Sequence, residues 1–333
     1  MSLKAIAAAL GLSVTTVSRA LNGYDDVAEE TRKRIEEEAQ RRSYRPNAAA
    51  RHLKTGRANA IGLVFPISTT PLNDSPFSKT LLSLDQYLAR EEIDLLLLAD
   101  KPQDSQRALL RMLRSRALDA VIVTRPKPQD HRLLRLQQKG FRFLTLGRSD
   151  LPKPYAWFDF DNHAGPMLAV NHCVEKGMTD IAWLGSNEAC TFVRDRRQGF
   201  LDAMTQQQIS IAPSHLVETE ASRRAGYQQT CAWLASQTPP QAIITDCSPL
   251  GEGAAIALQQ AARLRGKKAI TLIVYDGLPA DSIIDGPLPA ITQPMQYDAG
   301  EKVAQLILAL VKGTPPEQLQ VLWQPQLRLP GQA

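Results

Sequence analysis

The chain has 333 residues, 44% hydrophobic and 22% charged, a balance that fits an ordinary globular protein and excludes a disordered or fibrous one. No run of about 18 apolar residues is present, which argues against a membrane-spanning helix and a membrane partner. The net charge of +5 is unevenly spread: residues 1–57 hold 11 Lys/Arg against 7 Asp/Glu, and the other 276 residues hold 28 against 27. The excess positive charge therefore sits on the first fifth of the chain, where a polyanion would be met.

Leu3, Ile6, Ala7 and Leu10 recur at helical spacing and predict a first helix. Gly11 supplies a tight turn that a Cβ would obstruct. Ser13 is an N-cap residue for a second helix reaching about Asn22, with Val17 on its inner side and Ala7 letting the two helices approach. Thr31 is expected to cap a third helix, with Ile35 and Ala39 facing inward. The second helix opens Ser13-Val-Thr-Thr-Val-Ser-Arg19, a row of short hydroxyls and one arginine that can reach phosphates and base edges in a major groove. Val14, Thr15 and Arg19 are the candidate base contacts, Arg19 toward a guanine, and Thr16 and Ser18 the candidate phosphate contacts. The competing reading of this face is a three-helix packing module with a solvated basic side.

Next comes Tyr44-Arg-Pro-Asn-Ala-Ala-Ala-Arg-His-Leu-Lys-Thr-Gly56. Pro46 can open a helix, and Gly56 can close it. Fewer than about ten residues without a core do not hold a helix alone, so this one should order only when something holds it. Leu53 stands among Arg51, His52 and Lys54 as either a buried anchor or a wedge for the minor groove.

The order of these features resembles the lactose-repressor/galactose-repressor (LacI/GalR) family: a helix-turn-helix, Val17-Ser-Arg-Ala-Leu-Asn-Gly23, Tyr44-Arg-Pro-Asn47, Ala50-Arg-x-Leu-Lys54 and Ile61-Gly-Leu-Val64. The resemblance covers essentially the whole chain. It implies a hinge helix that folds on operator DNA beside its copy from a second subunit, with Leu53 wedged into the central base step and Lys54 reaching the minor groove. It extends the DNA-binding set to Asn22, Asn47, Ala50, Arg51, Leu53 and Lys54.

Beyond residue 58, apolar runs alternate with helical patterns. Ala60–Pro66, Asp94–Ala99, Ala120–Thr124, Phe143–Gly147, Ile181–Gly185, Ala242–Thr245 and Ile270–Tyr275 read as strands. Leu81–Arg90, Asp104–Arg116, Pro166–Lys176, Arg196–Gln206 and Gly253–Arg263 read as helices. Such alternation predicts doubly wound parallel α/β sheets, too many strands for one, hence two lobes. The family's periplasmic-binding-protein-like core supplies the threading. A headpiece spans 1–45 and a hinge and linker 46–58. The first lobe spans 59–159 and 290–322, and the second 160–289 and 323–333, the chain crossing back at Ala290-Ile-Thr-Gln-Pro294. Ligands of such folds bind at the carboxyl ends of the strands, in the cleft between lobes.

Arg196, in Arg196-Arg-Gln-Gly-Phe200, and Asp276, in Tyr275-Asp-Gly277, match family motifs for effector contact. A guanidinium fork suits vicinal hydroxyls or a carboxylate. A surface arginine and a turn-forming Asp-Gly are their plainer readings. Asp246 ends an apolar run at a family cleft position, and Gln293 sits at the lobe crossing. Phe77 matches a first-lobe loop that lines the cleft, or else caps the following helix, and Arg148 is a further candidate. Several sugar-binding members carry an aromatic shortly before Gly226-Tyr227, where this chain has Glu220-Ala-Ser-Arg-Arg224. Phe77 or Trp157 would then supply stacking, or the ligand is held another way.

The expected function is an effector-controlled repressor of carbohydrate-use genes: a homodimer, without an appended tetramer-forming heptad, released from a palindromic operator by a sugar or glycoside. The N-terminal phrasing resembles the family's α-galactoside and α-glucoside regulators. A purine or phosphosugar corepressor is the alternative effector. A solute-binding transport protein shares the core fold but would need a signal peptide, which the N-terminus lacks, and no reader domain, so the expected location is the bacterial cytoplasm. No Gly-rich phosphate loop, Gly-x-Ser-x-Gly or zinc signature points to an enzyme, a cofactor or a metal. The four scattered cysteines are expected to be reduced packing residues.

Overall fold

In a computed structural model, residues 2–21, 24–42, 44, 57–66, 76–100, 107–284, 286–293 and 298–331 are described. Contacts divide the chain into Met1–Ala58 and Asn59–Ala333.

The first unit contains α1 (Leu3–Leu10), α2 (Val14–Leu21) and α3 (Glu29–Arg41). Gly11 ends α1 in the left-handed region at φ 64° and returns its N–H to the Ala7 carbonyl, a conformation that glycine adopts without steric cost. Ser13 caps α2 by accepting a hydrogen bond from the Thr16 N–H at 2.9 Å. The third helix begins two residues before the expected Thr31. Ala28 is its N-cap, without a side-chain bond, and Glu29 and Glu30 place carboxylates in the first turn, where the helix dipole favours them. Ile6, Ala7, Val17, Ala20, Val27, Ile35 and Ala39 form the buried core.

The second unit holds two six-stranded sheets. The first is built from β1 (Ala60–Pro66), β2 (Asp94–Asp100), β3 (Ala120–Thr124), β4 (Phe143–Leu146), β5 (Ala156–Phe160) and β11 (Gln320–Trp323), in the order β11-β5-β4-β3-β1-β2. The second is built from β6 (Ile181–Ser186), β7 (Leu216–Thr219), β8 (Ala242–Thr245), β9 (Thr271–Tyr275), β10 (Ala290–Thr292) and β12 (Gln326–Arg328), in the order β12-β10-β9-β8-β6-β7. Every pairing is parallel except β10 with β12. Helices α4 (Pro76–Arg90), α5 (Arg107–Arg114), α6 (His131–Gln138) and α11 (Ala299–Lys312) accompany the first sheet. Helices α7 (Ala164–Glu175), α8 (Thr191–Gln206), α9 (Arg223–Ala235) and α10 (Ser248–Gln260) accompany the second. Apolar clusters on both sides of the second sheet, one around Trp183 and Phe200 and one around Leu184 and Leu250, make it doubly wound. No helix among the described residues is long and apolar enough to cross a membrane.

Strand partners move three expected lobe limits. Phe160 pairs with Trp323 in the first sheet, so both belong to that lobe. Ala290 and Ile291 pair with Val274 and Tyr275 in the second sheet, so the chain crosses back after Thr292 rather than at Ala290. The physical reason is short or interrupted apolar runs: β10 has three residues, β11 has four with alternating exposure, and β5 carries Asp159 inside its run, so none marks its limits clearly. α8 and α10 begin five residues before their expected starts, continuing to Thr191 and Ser248 at the strand ends where the ligand cleft opens.

Candidate ligand cavity and nucleic-acid interface

On the headpiece, α2 presents Val14 at 40% exposure and Thr15 beside it, while Val17 and Ala20 face inward. Thr16 is drawn into the cap, its hydroxyl sharing a 2.8 Å hydrogen bond with that of Ser13. Arg19 pairs with Asp26 and lies 4.8 Å from the Tyr24 ring centroid, so its guanidinium is held in place on the surface. Ser18 is half-buried. Asn22, Asn47, Ala50, Arg51, Leu53 and Lys54 lie outside the described residues.

In the second unit, a cavity of about 230 Å³ lies between the lobes. The carboxyl ends of the strands wall it: Phe65 of β1, Thr124 of β3, Leu146 of β4, Phe160 of β5 and Ser186 of β6, with Cys247 after β8, Asp276 after β9 and Gln293 after β10. This is where parallel sheets leave backbone and loop groups free to meet a ligand. Among the six sequence-predicted effector residues, Phe77, Arg196, Asp276 and Gln293 line the cavity.

Arg196 is the most constrained of them. Gly199 sets it: a Cβ there would overlap the His163 carbonyl, so glycine lets α8 approach the start of α7. The Arg196 Nε donates to Asn162 Oδ1 at 2.9 Å and Nη1 donates to the Asp246 carbonyl at 2.5 Å. Nη2 faces Asp276 Oδ2 at 3.8 Å. Asp276 sits at φ 66°, a left-handed backbone that turns its side chain out of the end of β9. Burial raises the Asp276 carboxyl above its ordinary range, opposed by the Arg196 charge. A guanidinium edge and a carboxylate thus stand side by side, donor next to acceptor.

Asp246 and Arg148 do not line the cavity; each stands behind a residue that does. Asp246 is fully buried, and one carboxylate oxygen accepts from both the Ser186 N–H and hydroxyl at 2.8 Å. Its Oδ1 is buried without a hydrogen-bond partner. Arg148 donates to Asp159 Oδ2 at 2.8 Å and lies 5.7 Å from the Trp157 ring centroid, which places Trp157 beside the arginine rather than in the cavity wall. Burial pushes the Asp159 carboxyl up to about 6, against the pull of Arg148. The aromatic lining comes from Phe77, stacked at 5.0 Å on Phe65, and from Phe158, Phe160 and Phe192. Ala221 lines the cavity in the Glu220–Arg224 stretch, so no ring comes from there.

Arg125, Asn162, Glu188 and Phe192 also line the cavity and carry no sequence motif of their own. The one available signal for Phe192 was its helical offset of four from Arg196, which places both on one face.

Comparison with known proteins agrees with this architecture. Residues 2–47 match the family of "Bacterial regulatory proteins, lacI family", and residues 58–326 match "Periplasmic binding proteins and sugar binding domain of LacI family". The chain is 45% identical to the HTH-type transcriptional regulator RafR of Escherichia coli over 325 residues, which are 98% of this chain and 96% of that one. It is 32% identical to the HTH-type transcriptional regulator AglR of Rhizobium meliloti (strain 1021), covering 98% of this chain and 92% of that protein. A crystal structure of a transcriptional regulator from Yersinia pestis biovar Microtus superimposes with a TM-score of 0.77 at 41% identity, over 81% of this chain and 96% of that one. The chain belongs to the LacI family of DNA-binding transcriptional regulators, not to an enzyme family.

Proposed function

We propose that the protein is a repressor that binds a near-palindromic operator as a homodimer and is released when an uncharged sugar or glycoside enters the cavity. The observation that carries this reading is the Arg196–Asp276 pair, whose Nη2 and Oδ2 stand 3.8 Å apart at the cavity wall. Adjacent hydroxyls on one ring can accept from the guanidinium and donate to the carboxylate at once. Asn162, Ser186 and Gln293 add neutral polar groups, and Phe77 and Phe192 add apolar faces. Arg125 and Arg196 share the wall with Asp159, Glu188 and Asp276, so a phosphorylated ligand would meet more carboxylates than guanidinium groups. The family match to a sugar-binding domain supports the same assignment.

On the DNA side, Val14, Thr15 and Arg19 are the proposed base contacts, Thr16 and Ser18 the phosphate contacts, and Leu53 the minor-groove wedge. Two copies of α2 would enter successive major grooves. A ligand that binds the free and the DNA-bound arrangement with affinities differing by a few kcal/mol suffices for release.

A thermal-shift screen against α-galactosides, α-glucosides, purines and phosphosugars tests the ligand class, because a binder of the native state raises its melting temperature by mass action. A shift with a neutral glycoside that also lowers operator binding supports the proposal. A shift confined to purines or phosphosugars replaces the effector. Leu53→Ala should weaken specific operator binding and leave glycoside affinity unchanged; unchanged operator binding removes the wedge.

A further inference from the structure

The first turns of α8, a helix of the second lobe, are tied to the first lobe. The Thr191 N–H and hydroxyl donate to the Pro126 carbonyl at 2.9 and 3.2 Å. Arg194 pairs with Asp150 at 2.9 Å, and Asp195 faces Arg148 at 3.9 Å. Helical spacing sorts these residues. Thr191, Arg194 and Asp195 are offset by three and four and meet the first lobe, while Phe192 and Arg196, offset by four, reach the cavity. One helix therefore reads both the lobe contact and the ligand site.

A further cross-lobe contact lies in the cavity wall itself. The Arg125 guanidinium pairs with the Glu188 carboxylate, and both residues line the cavity. Arg125 follows β3 and takes φ 51°, a left-handed backbone uncommon for a non-glycine residue. Glu188 follows β6 and precedes α8. The Arg125 and Arg196 guanidinium carbons lie 5.0 and 4.9 Å from the Phe192 ring centroid, so that ring contacts both the cross-lobe pair and the cavity-lining arginine. The Arg125 and Glu188 side chains are 26% and 20% exposed, less screened than a surface pair.

We propose that Arg125 and Glu188 are positioning residues of the cavity, a cross-lobe latch that fixes the start of α8 and thereby places Phe192 and Arg196 for the ligand. The inference rests on the reading of this cavity as the effector site only for its ligand arm. The latch itself is testable in the full-length protein without any ligand, because the Thr191 N–H bond to Pro126 crosses between the lobes.

Hydrogen exchange of the peptide containing Thr191 is measured in the parent chain, in Glu188→Gln, in Arg125→Gln and in the exchanged pair Arg125→Glu with Glu188→Arg. The expected result is exchange about three- to tenfold faster in each single variant, the range for a partly buried ion pair, and return toward the parent rate in the exchanged pair. Unchanged exchange in both single variants overturns the latch. Faster exchange that the exchanged pair does not restore overturns the pairing and leaves a local disturbance. In the ligand arm, calorimetry with whichever α-galactoside or α-glucoside binds the parent chain should show weaker binding by Glu188→Gln by a similar factor. Unchanged affinity overturns the positioning role. Restored exchange with no panel sugar binding the parent chain upholds the latch and defeats the sugar reading, so the two failures are distinct.

Discussion

The Arg196 guanidinium lies over the ring of Tyr275, 3.4 Å from its centroid, and the Tyr275 hydroxyl donates to the same Asn162 oxygen that Arg196 Nε binds. Burial pushes the Tyr275 hydroxyl up to about 12, so it stays protonated and remains a donor at neutral pH. The guanidinium plane is therefore fixed from one face and one edge before a ligand arrives. That preorganisation leaves little rotamer freedom to be lost on binding.

Arg196→Ala should consequently abolish the ligand response while operator binding persists. Removing one partner of a desolvated, charge-assisted contact costs about 2–3 kcal/mol, or roughly a hundredfold in affinity. Glycoside calorimetry and an operator-binding assay on the same variant check it. A variant that still responds normally would move the ligand away from Arg196.

Arg196 was picked out in the sequence because a short motif, Arg196-Arg-Gln-Gly-Phe200, resembles one of the family; it carries both the cavity-lining arginine and the glycine that seats its helix against His163. Asp276 was picked out by the Tyr275-Asp-Gly277 motif, Gln293 by its place at the lobe crossing and Phe77 by its likeness to a family loop, and all three line the cavity. Arg125, Asn162 and Glu188 were not legible in the sequence, because crossovers between parallel strands bring them to the wall and leave no local pattern. Arg148 and Asp246 show the converse limit. Both follow strands, Arg148 after β4 and Asp246 after β8, but a strand end has a front and a back, and partners in the neighbouring loops decide which one a side chain occupies. For the fold, strands with a continuous apolar run announced themselves, edge strand β2 among them, whereas β5 hides the buried Asp159 inside its run and β7, β10, β11 and β12 are only three or four residues long.

Asp159 makes a pH-dependent prediction. Its carboxyl is raised from 3.8 to about 6, first by burial, so the folded state binds its proton more tightly than the unfolded chain does. The sign follows from linkage: this group's contribution to stability is fully present below about pH 4 and is lost as pH rises through about 6, amounting to at most about 3 kcal/mol. Asp159→Asn cannot ionise and escapes that loss. The melting temperature of the variant relative to the parent should therefore climb between pH 5 and pH 7.5. Parallel melting curves across that range would show that Arg148 neutralises the carboxylate fully in the folded state.

Gly199→Ala tests the seat of α8. The added Cβ would overlap the His163 carbonyl, which is backbone and cannot swing aside, so the two helices must separate. Overpacking of this kind costs about 1–3 kcal/mol, and the melting temperature should fall by several degrees. Glycoside affinity should fall as well, since Arg196 rides on the displaced helix. Unchanged stability would mean that α8 already has room at His163.

Arg19 separates specific from general DNA affinity. Its guanidinium is held on the surface by Asp26 and the Tyr24 ring, with the side chain 41% exposed. A base-reading arginine lost to alanine costs about 1–3 kcal/mol at its own operator position. A phosphate-contacting one weakens binding to every sequence alike and lowers the salt slope by about 1. Arg19→Ala should thus lower operator affinity roughly ten- to a hundredfold and change binding to unrelated duplex far less. Competition assays at two salt concentrations decide between the roles, because equal losses on both duplexes with a shallower salt slope would assign Arg19 to a phosphate.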